Sequence, residues 1–243
     1  MAIYLGSNNI SPLYLGSTEI GKAYLGSVQV YGPSQPFLPA HTIRCKFSTG
    51  YTPRMGDSNT LVDADENIWD IYVSSNNWSW LFYIDLTSMS YQNPYLLKVI
   101  AANTTGVTSM WCMFEGCINL TSVPWMDTSS VTSMGFMFCR CPKLTTIPLL
   151  DTRSVTNMKD MFAGCTNLTT IPLLDTRLVT HMNGMFNGCY RVESGALALY
   201  QQASTQANPP TYHTDTFKNC GVNTVTGAAE LAQIPASWGG LGT

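Results

Sequence analysis

Apolar positions through the middle of the chain recur every 24 residues. Residues 103–189 hold four copies of one phrase: NTTGVTSMWCMFEGCINLTSVPWM from Asn103, DTSSVTSMGFMFCRCPKLTTIPLL from Asp127, DTRSVTNMKDMFAGCTNLTTIPLL from Asp151 and DTRLVTHMNGMFNGC from Asp175. In the third copy Val155, Met158, Met161, Phe162 and Cys165 are separated by steps of three, three, one and three. That is close to the stripe of a helix with one buried face. The pattern predicts one short helix per copy, N-capped by Thr108, Thr132, Thr156 and Thr180. It should end near Gly116, Gly164 and Gly188, since glycine adopts a left-handed conformation without steric penalty. Arg140 occupies this place in the second copy, which predicts local strain or a different helix exit there.

The second half of each copy reads L-T-x-[IV]-P, as in Leu168, Thr169, Thr170, Ile171 and Pro172. It predicts a very short strand with Leu and Ile inward, because proline cannot donate to a ladder. One such unit cannot bury its own apolar face, whereas units stacked at roughly 5 Å, the spacing of paired strands, can. The predicted fold class is therefore α/β, a leucine-rich-repeat solenoid of 24-residue coils over residues 96–194. The phrase LLKVIAAN at 96–103 aligns with LTTIPLLD at 144–151 and reads as the end of an irregular preceding coil. By alternation, Thr146 and Thr170, Pro148 and Pro172, and Leu150 and Leu174 point outward, with Trp125 and Met126 in the matching stretch of the first copy. Exposed together, Met126, Leu150 and Leu174 would form a patch for a partner; the other reading is that flanking loops cover them. Trp111 falls in a variable slot whose counterparts are Gly135, Lys159 and Asn183. An exposed tryptophan there would be a contact residue.

The flanks read differently. YLGS occurs at 4–7, 14–17 and 24–27, with Ile10, Ile20 and Val30 after it. Tyr and Leu suit a strand, Gly-Ser a tight turn, and the later apolar residue a return strand. Residues 1–31 thus predict a small β-repeat with too little core to stand alone. Tyr4, Leu5, Tyr14, Leu15, Tyr24 and Leu25 are its expected anchoring or oligomerisation residues. A Pro-rich linker is expected over 32–40 and an aromatic-rich β cap over 41–95, where Ile43, Cys45 and Phe47 alternate and Trp69, Trp78, Trp80 and Phe82 cluster. Residues 195–243 predict a helix in GALALYQQAST and an expanded capping coil closed by Trp238. DADEN at 63–67 resembles the start of a calcium loop. Such a loop needs Gly sixth and Glu twelfth, where this chain has Ile68 and Ser74. A solvated acidic turn is the better reading.

Charged residues make up 11% of the 243-residue chain, against a usual share of about 25%, so solubility rests on Ser, Thr, Asn and Gly. The net charge of −3, with no Lys/Arg run, gives nucleic acid nothing to hold. No apolar run reaches the roughly 18 residues of a membrane span, so no membrane insertion is expected. Ala2, Ile3 and Tyr4 follow Met1 without a basic stretch, so the start does not read as a secretion signal and the chain is expected to mature where it is made. Cys117, Cys141, Cys165 and Cys189, each 24 apart, form a ladder of structural thiols. Their Cβ atoms would all point the same way, a poor disulfide geometry. With Cys112 and Cys139 they fit no zinc spacing. His41, His181 and His213 lie far apart, and no nucleophile elbow, zincin motif or phosphate loop occurs. Asp127, Asp151 and Asp175 read as turn-capping residues, with Arg153 and Arg177 placed to neutralise them. No enzyme activity, cofactor or metal is expected.

The phrase D-T-x-x-V-T-x-M-x-x-M-F-x-x-C-x-x-L-T-x-[IV]-P resembles the BspA-like leucine-rich repeat. Proteins with these repeats occur on bacterial surfaces, in some protists and in phages of gut bacteria, and the resemblance implies binding or display. The YLGS phrases and the I-P-x-S-W-G-G ending are similar to segments of virion proteins of phages infecting gut Bacteroidales, crAss-like phages included. That resemblance implies a fibre or appendage component of head or tail, assembled in a bacterial cytoplasm and carried on the virion. Its implied partners are other virion proteins, further copies of itself (a trimer being the habit of phage fibres) and a host-surface glycan or protein. The alternative is a bacterial cell-surface adhesin built on the same repeats.

Overall fold

The computed structural model describes residues 14–15, 18–19, 23–25, 28–31, 38–79, 81–82, 92–147 and 150–242. The chain divides into two units, Met1–Leu38 and Pro39–Thr243. In the first, β1 (Tyr14–Leu15) pairs antiparallel with β2 (Thr18–Glu19), and β3 (Ala23–Leu25) with β4 (Val28–Tyr31). The second and third YLGS phrases thus each begin a two-stranded pair, with Leu15 opposite Thr18 and Leu25 opposite Val28. Tyr4 and Leu5, and residues 32–37 of the expected linker, lie outside the described residues.

The second unit opens with a four-stranded antiparallel sheet in the order β6-β7-β5-β8, where β5 is Thr42–Phe47, β6 Ser58–Asp63, β7 Ile68–Tyr72 and β8 Leu96–Asn103. Alternation decides its faces. Ile43, Cys45 and Phe47 point into the core, while Arg44 lies opposite Asp70 and grips it with two bonds of 2.7 Å. The DADEN stretch turns β6 into β7. Asp63 Oδ1 accepts the Glu66 N–H at 3.0 Å, and Asn67 sits at φ 51. The Asn67 amide donates to the Ser48 and Tyr51 carbonyls and accepts from the Trp69 indole, so its polar atoms are engaged within the protein.

The expected α/β leucine-rich-repeat solenoid is corrected by these elements. Regular structure in the described residues is antiparallel sheet plus two short helices, α1 (Ala196–Thr205) and α2 (Val225–Leu231), with one 3-10 turn at Ala236–Trp238. Neither the helix nor the strand predicted for each 24-residue copy forms. Asp160 and Gly164 show why. Both have positive φ, 50 and 75, and an α-helix requires about −63° throughout. The same pair recurs as Cys112/Gly116, Phe136/Arg140 and Gly184/Gly188. Each copy is instead a chain of tight turns. In the third, the N–H groups of Met161, Ala163, Cys165 and Leu168 bond three residues back, to Met158, Asp160, Phe162 and Cys165. The alternate N–H groups of Met158, Asp160, Phe162 and Gly164 reach the next copy, to His181, Asn183, Met185 and Asn187 at 2.8–2.9 Å. Every one of these backbone donors is thereby satisfied without a helix.

The apolar stripe still faces inward. Phe82, Phe114, Phe138, Phe162, Phe186 and Phe217 stack with centroids 5.2–6.0 Å apart and planes within 13°. The paired methionines of each copy are fully buried beside them. Trp78 and Phe82, read from sequence as part of a β cap, belong to a further turn bridged through Asn77 to Ser109; residues 212–217 add another, bridged to His181. Trp238 closes the stack, 6.5 Å from Phe217.

Candidate binding surface

The repeat positions divide sharply into interior and surface. Cys117, Cys141, Cys165 and Cys189 are free and buried. The thiols of Cys141, Cys165 and Cys189 each donate at 3.1 Å to the carbonyl of Phe114, Phe138 and Phe162 in the preceding copy. Burial pushes all four well above the ordinary thiol range, so they are protonated structural groups without nucleophilic character. Among the described residues no three His, Cys, Asp or Glu side chains converge.

The Asp-Thr phrases build one edge. Asp127, Asp151 and Asp175 each accept the N–H two residues on, at 3.0–3.2 Å. The buried hydroxyls of Thr104, Thr128 and Thr152 donate to the carbonyl of the next copy's aspartate at 2.8–3.0 Å. Arg153 and Arg177 fork onto Asp151 and Asp175. Those guanidinium bonds hold both carboxyls below their ordinary range. The Thr residues expected as N-caps serve a different end. Thr132, Thr156 and Thr180 donate through Oγ1 to the threonine carbonyl of the preceding copy at 3.1–3.2 Å.

Trp111 is half-buried. Its ring lies over Gly135, where an added Cβ would come within 2.3 Å of it, and meets Phe136 edge-on at 5.2 Å. It therefore packs between copies. The proposed patch of Met126, Leu150 and Leu174 does not exist, because these residues are 0%, 3% and 0% exposed. Proline is the physical reason. A two-residue alternation holds only along a strand, and the stretch around Pro172 is not one. Ile171 and Leu174, three apart, both face inward. The residues left outside are Trp125, 57% exposed, and Leu173, 65% exposed. They occupy the same slot two copies apart; Thr121, Thr145, Thr146 and Thr170 of the same half-repeats are exposed as well. Pro148, also expected to point outward, lies outside the described residues. Leu173 was missed because the L-L dipeptide offers two candidates, and only the bend at proline chooses between them.

A family described as "Mycoplasma protein of unknown function, DUF285" matches residues 84–195 and 143–209, together just over half of the chain. The chain belongs to the DUF285 family. Membership links it, coarsely, to the BspA-like repeat proteins. Neither the curated proteins nor the solved structures contain a match. Trp111, Trp125, Leu173 and the thiol ladder lie within the DUF285 part. Three of the four sheet strands, β5, β6 and β7, lie before it, and β8 lies within it. Also before it is an open groove of ≈ 410 Å³ where the loop before β6 meets the first stacked turn. Nothing in the sequence marked that groove, since Arg54, Asp57 and Asn77 come together only when the sheet folds against the turn.

Proposed function

We propose that this DUF285 chain is a phage virion structural protein, a fibre or appendage component of head or tail, that docks through its N-terminal repeats and displays the repeat surface for protein or host-surface binding. The binding half rests on one observation: Trp125 and Leu173 stand exposed at equivalent positions of a stack whose other large apolar side chains are mostly buried. A rigid scaffold carrying an exposed tryptophan is the composition of a contact surface. The virion half rests on the likeness of the YLGS and I-P-x-S-W-G-G phrases to such proteins. Partners on this reading are other virion proteins, further copies of the chain, and a host-surface glycan or protein.

Two measurements test it. Mass spectrometry of purified virions is expected to find the chain; recovery from bacterial envelopes instead would replace this reading with that of a cell-surface adhesin. Trp125→Ala is expected to weaken binding of the purified chain to host cells by about tenfold, with an unchanged melting temperature. Undiminished binding would remove the repeat surface from the proposal.

A further inference from the structure

The groove ahead of the repeats has a lining of mixed polar and apolar character. Arg54 is exposed and makes no ion pair among the described residues. Asp57 lines the groove with its carboxylate, which is held in place by the Ser74 backbone N–H and hydroxyl. That backbone bond holds its carboxyl below the ordinary range, so it is an acceptor at neutral pH. Asn77 accepts the Ser79 N–H through Oδ1 at 2.9 Å, leaving both amide hydrogens unspent among the described residues. Ser75 Oγ accepts the Asn77 N–H at 3.0 Å and retains its own hydrogen. Met55, half-buried, supplies apolar surface, with Trp78 and Leu81 packed behind it at 1% and 8% exposed.

The walls are held in place. Gly56 sits at φ +68, with Tyr72 O only 2.6 Å from where a Cβ would be, so the loop lies tight on β7. The Trp78 indole donates to Ser75 O at 3.1 Å, fixing the opposite wall. Preorganised donors and acceptors of this kind cost little to order on binding, and ≈ 410 Å³ falls within the range of small-molecule sites.

We propose that this groove binds a neutral saccharide, one or two sugar rings of a glycan chain, through Arg54, Asp57, Ser75 and Asn77. A sugar ring carries adjacent hydroxyls that both donate and accept, and a C–H face for an apolar floor. Other ligands fit worse. A phosphate or anionic sugar would meet one cation beside a fixed carboxylate. An acyl chain would leave the polar rim without partners. An extended peptide added to a sheet edge is held by backbone N–H and C=O groups, whereas the polar groups named here are side chains. The proposal rests on the function above only in that a glycan is one of the partners named there; its observations are those of the groove, and neither the virion placement nor Trp125 carries it.

The test uses the full chain on an array of neutral oligosaccharides, with heparin-derived oligosaccharides as the anionic arm, followed by calorimetric titration of the best binder. Arg54→Ala removes an exposed side chain. Asn77→Asp keeps the Oδ1 acceptor for Ser79 and deletes the amide donors. Each is expected to weaken the neutral ligand by about tenfold with an unchanged melting temperature, while Trp125→Ala leaves that affinity unaltered. Failure of every neutral oligosaccharide, a preference for the anionic arm, or an affinity unchanged from the parent chain in both groove variants would overturn the proposal. Loss through Trp125→Ala alone would move the glycan to the repeat face and overturn it equally.

Discussion

Two residues in each repeat hold a left-handed backbone, and the sequence reveals only part of this. The second slot reads Gly116, Arg140, Gly164, Gly188, and Arg140 adopts φ 59 there beside φ 71–75 for the glycines. Of the two outcomes anticipated there, local strain or a different exit, the first holds: the exit is the same, kept by a residue poorly suited to it. A side chain in this region costs roughly 1–2 kcal/mol, part of which glycine returns through its freer unfolded state. Arg140→Gly is accordingly expected to stabilise the protein by about 0.5–1 kcal/mol, and Gly164→Ala to destabilise it by a similar amount. An added Cβ at Gly164 finds ordinary space, 3.6 Å from Arg140 Cα, so the second effect comes from φ alone. Guanidinium denaturation midpoints read both; a fall on Arg140→Gly would sink the argument. The first slot, Cys112, Phe136, Asp160 and Gly184, carried no legible signal, because glycine appears in it once.

Among the elements, α1 was readable from GALALYQQAST and its start was not. Gly195 at its N-cap has φ 101 and offers no side-chain cap. The missing acceptor arrives from α2, where Glu230 takes the Leu197 N–H at 3.0 Å and the Gly195 N–H at 3.4 Å. A carboxylate at that end also meets the positive pole of the helix. Glu230→Ala is expected to cost about 1 kcal/mol, and Glu230→Gln, which keeps an acceptor, about half as much. Thermal melts of the two variants check this, and equal losses would show that the bonds count for nothing beyond packing. At its far end α1 finishes the Asp-Thr edge: the Thr176 hydroxyl donates to Gln206 Oε1 at 2.9 Å and accepts from Gln202 Nε2 at 3.3 Å, where Thr152 has the carbonyl and N–H of the next copy's Asp175. These are the places the next repeat would have filled, a tertiary relation that no local pattern announces.

Over the whole molecule, one apolar interior runs from the sheet to Trp238 and holds six of the eight cysteines, while Cys112 and Cys139 are buried thiols outside it. Burial raises their pKa, Cys139 and Cys220 to about 12 from an ordinary 9.0. The unfolded chain thus releases thiol protons at lower pH than the folded one, and stability falls as pH rises. This contribution is fully present below about pH 9 and is lost progressively towards pH 12. Denaturation midpoints are expected to hold steady near pH 8 and to decline from about pH 9.5 upward, with thiolate absorbance appearing only as the chain unfolds. A flat profile to pH 11 would contradict it. The sequence alone determined which residues face inward in the repeat, because Val, Met, Met, Phe and Cys recur at fixed spacing and only burial on one side rewards that pattern. It also determined the β5 faces, the Asp turns and the low-charge surface. Tertiary structure decided the rest. Helical spacing is shared by any backbone that returns a side chain to the same side every three or four residues, and bonding between copies chose linked turns over a helix. Proline bending put Leu173 outside and Leu174 inside, and the approach of sheet to first turn made the groove. Each outcome depends on backbone partners distant in sequence, which a periodicity cannot name.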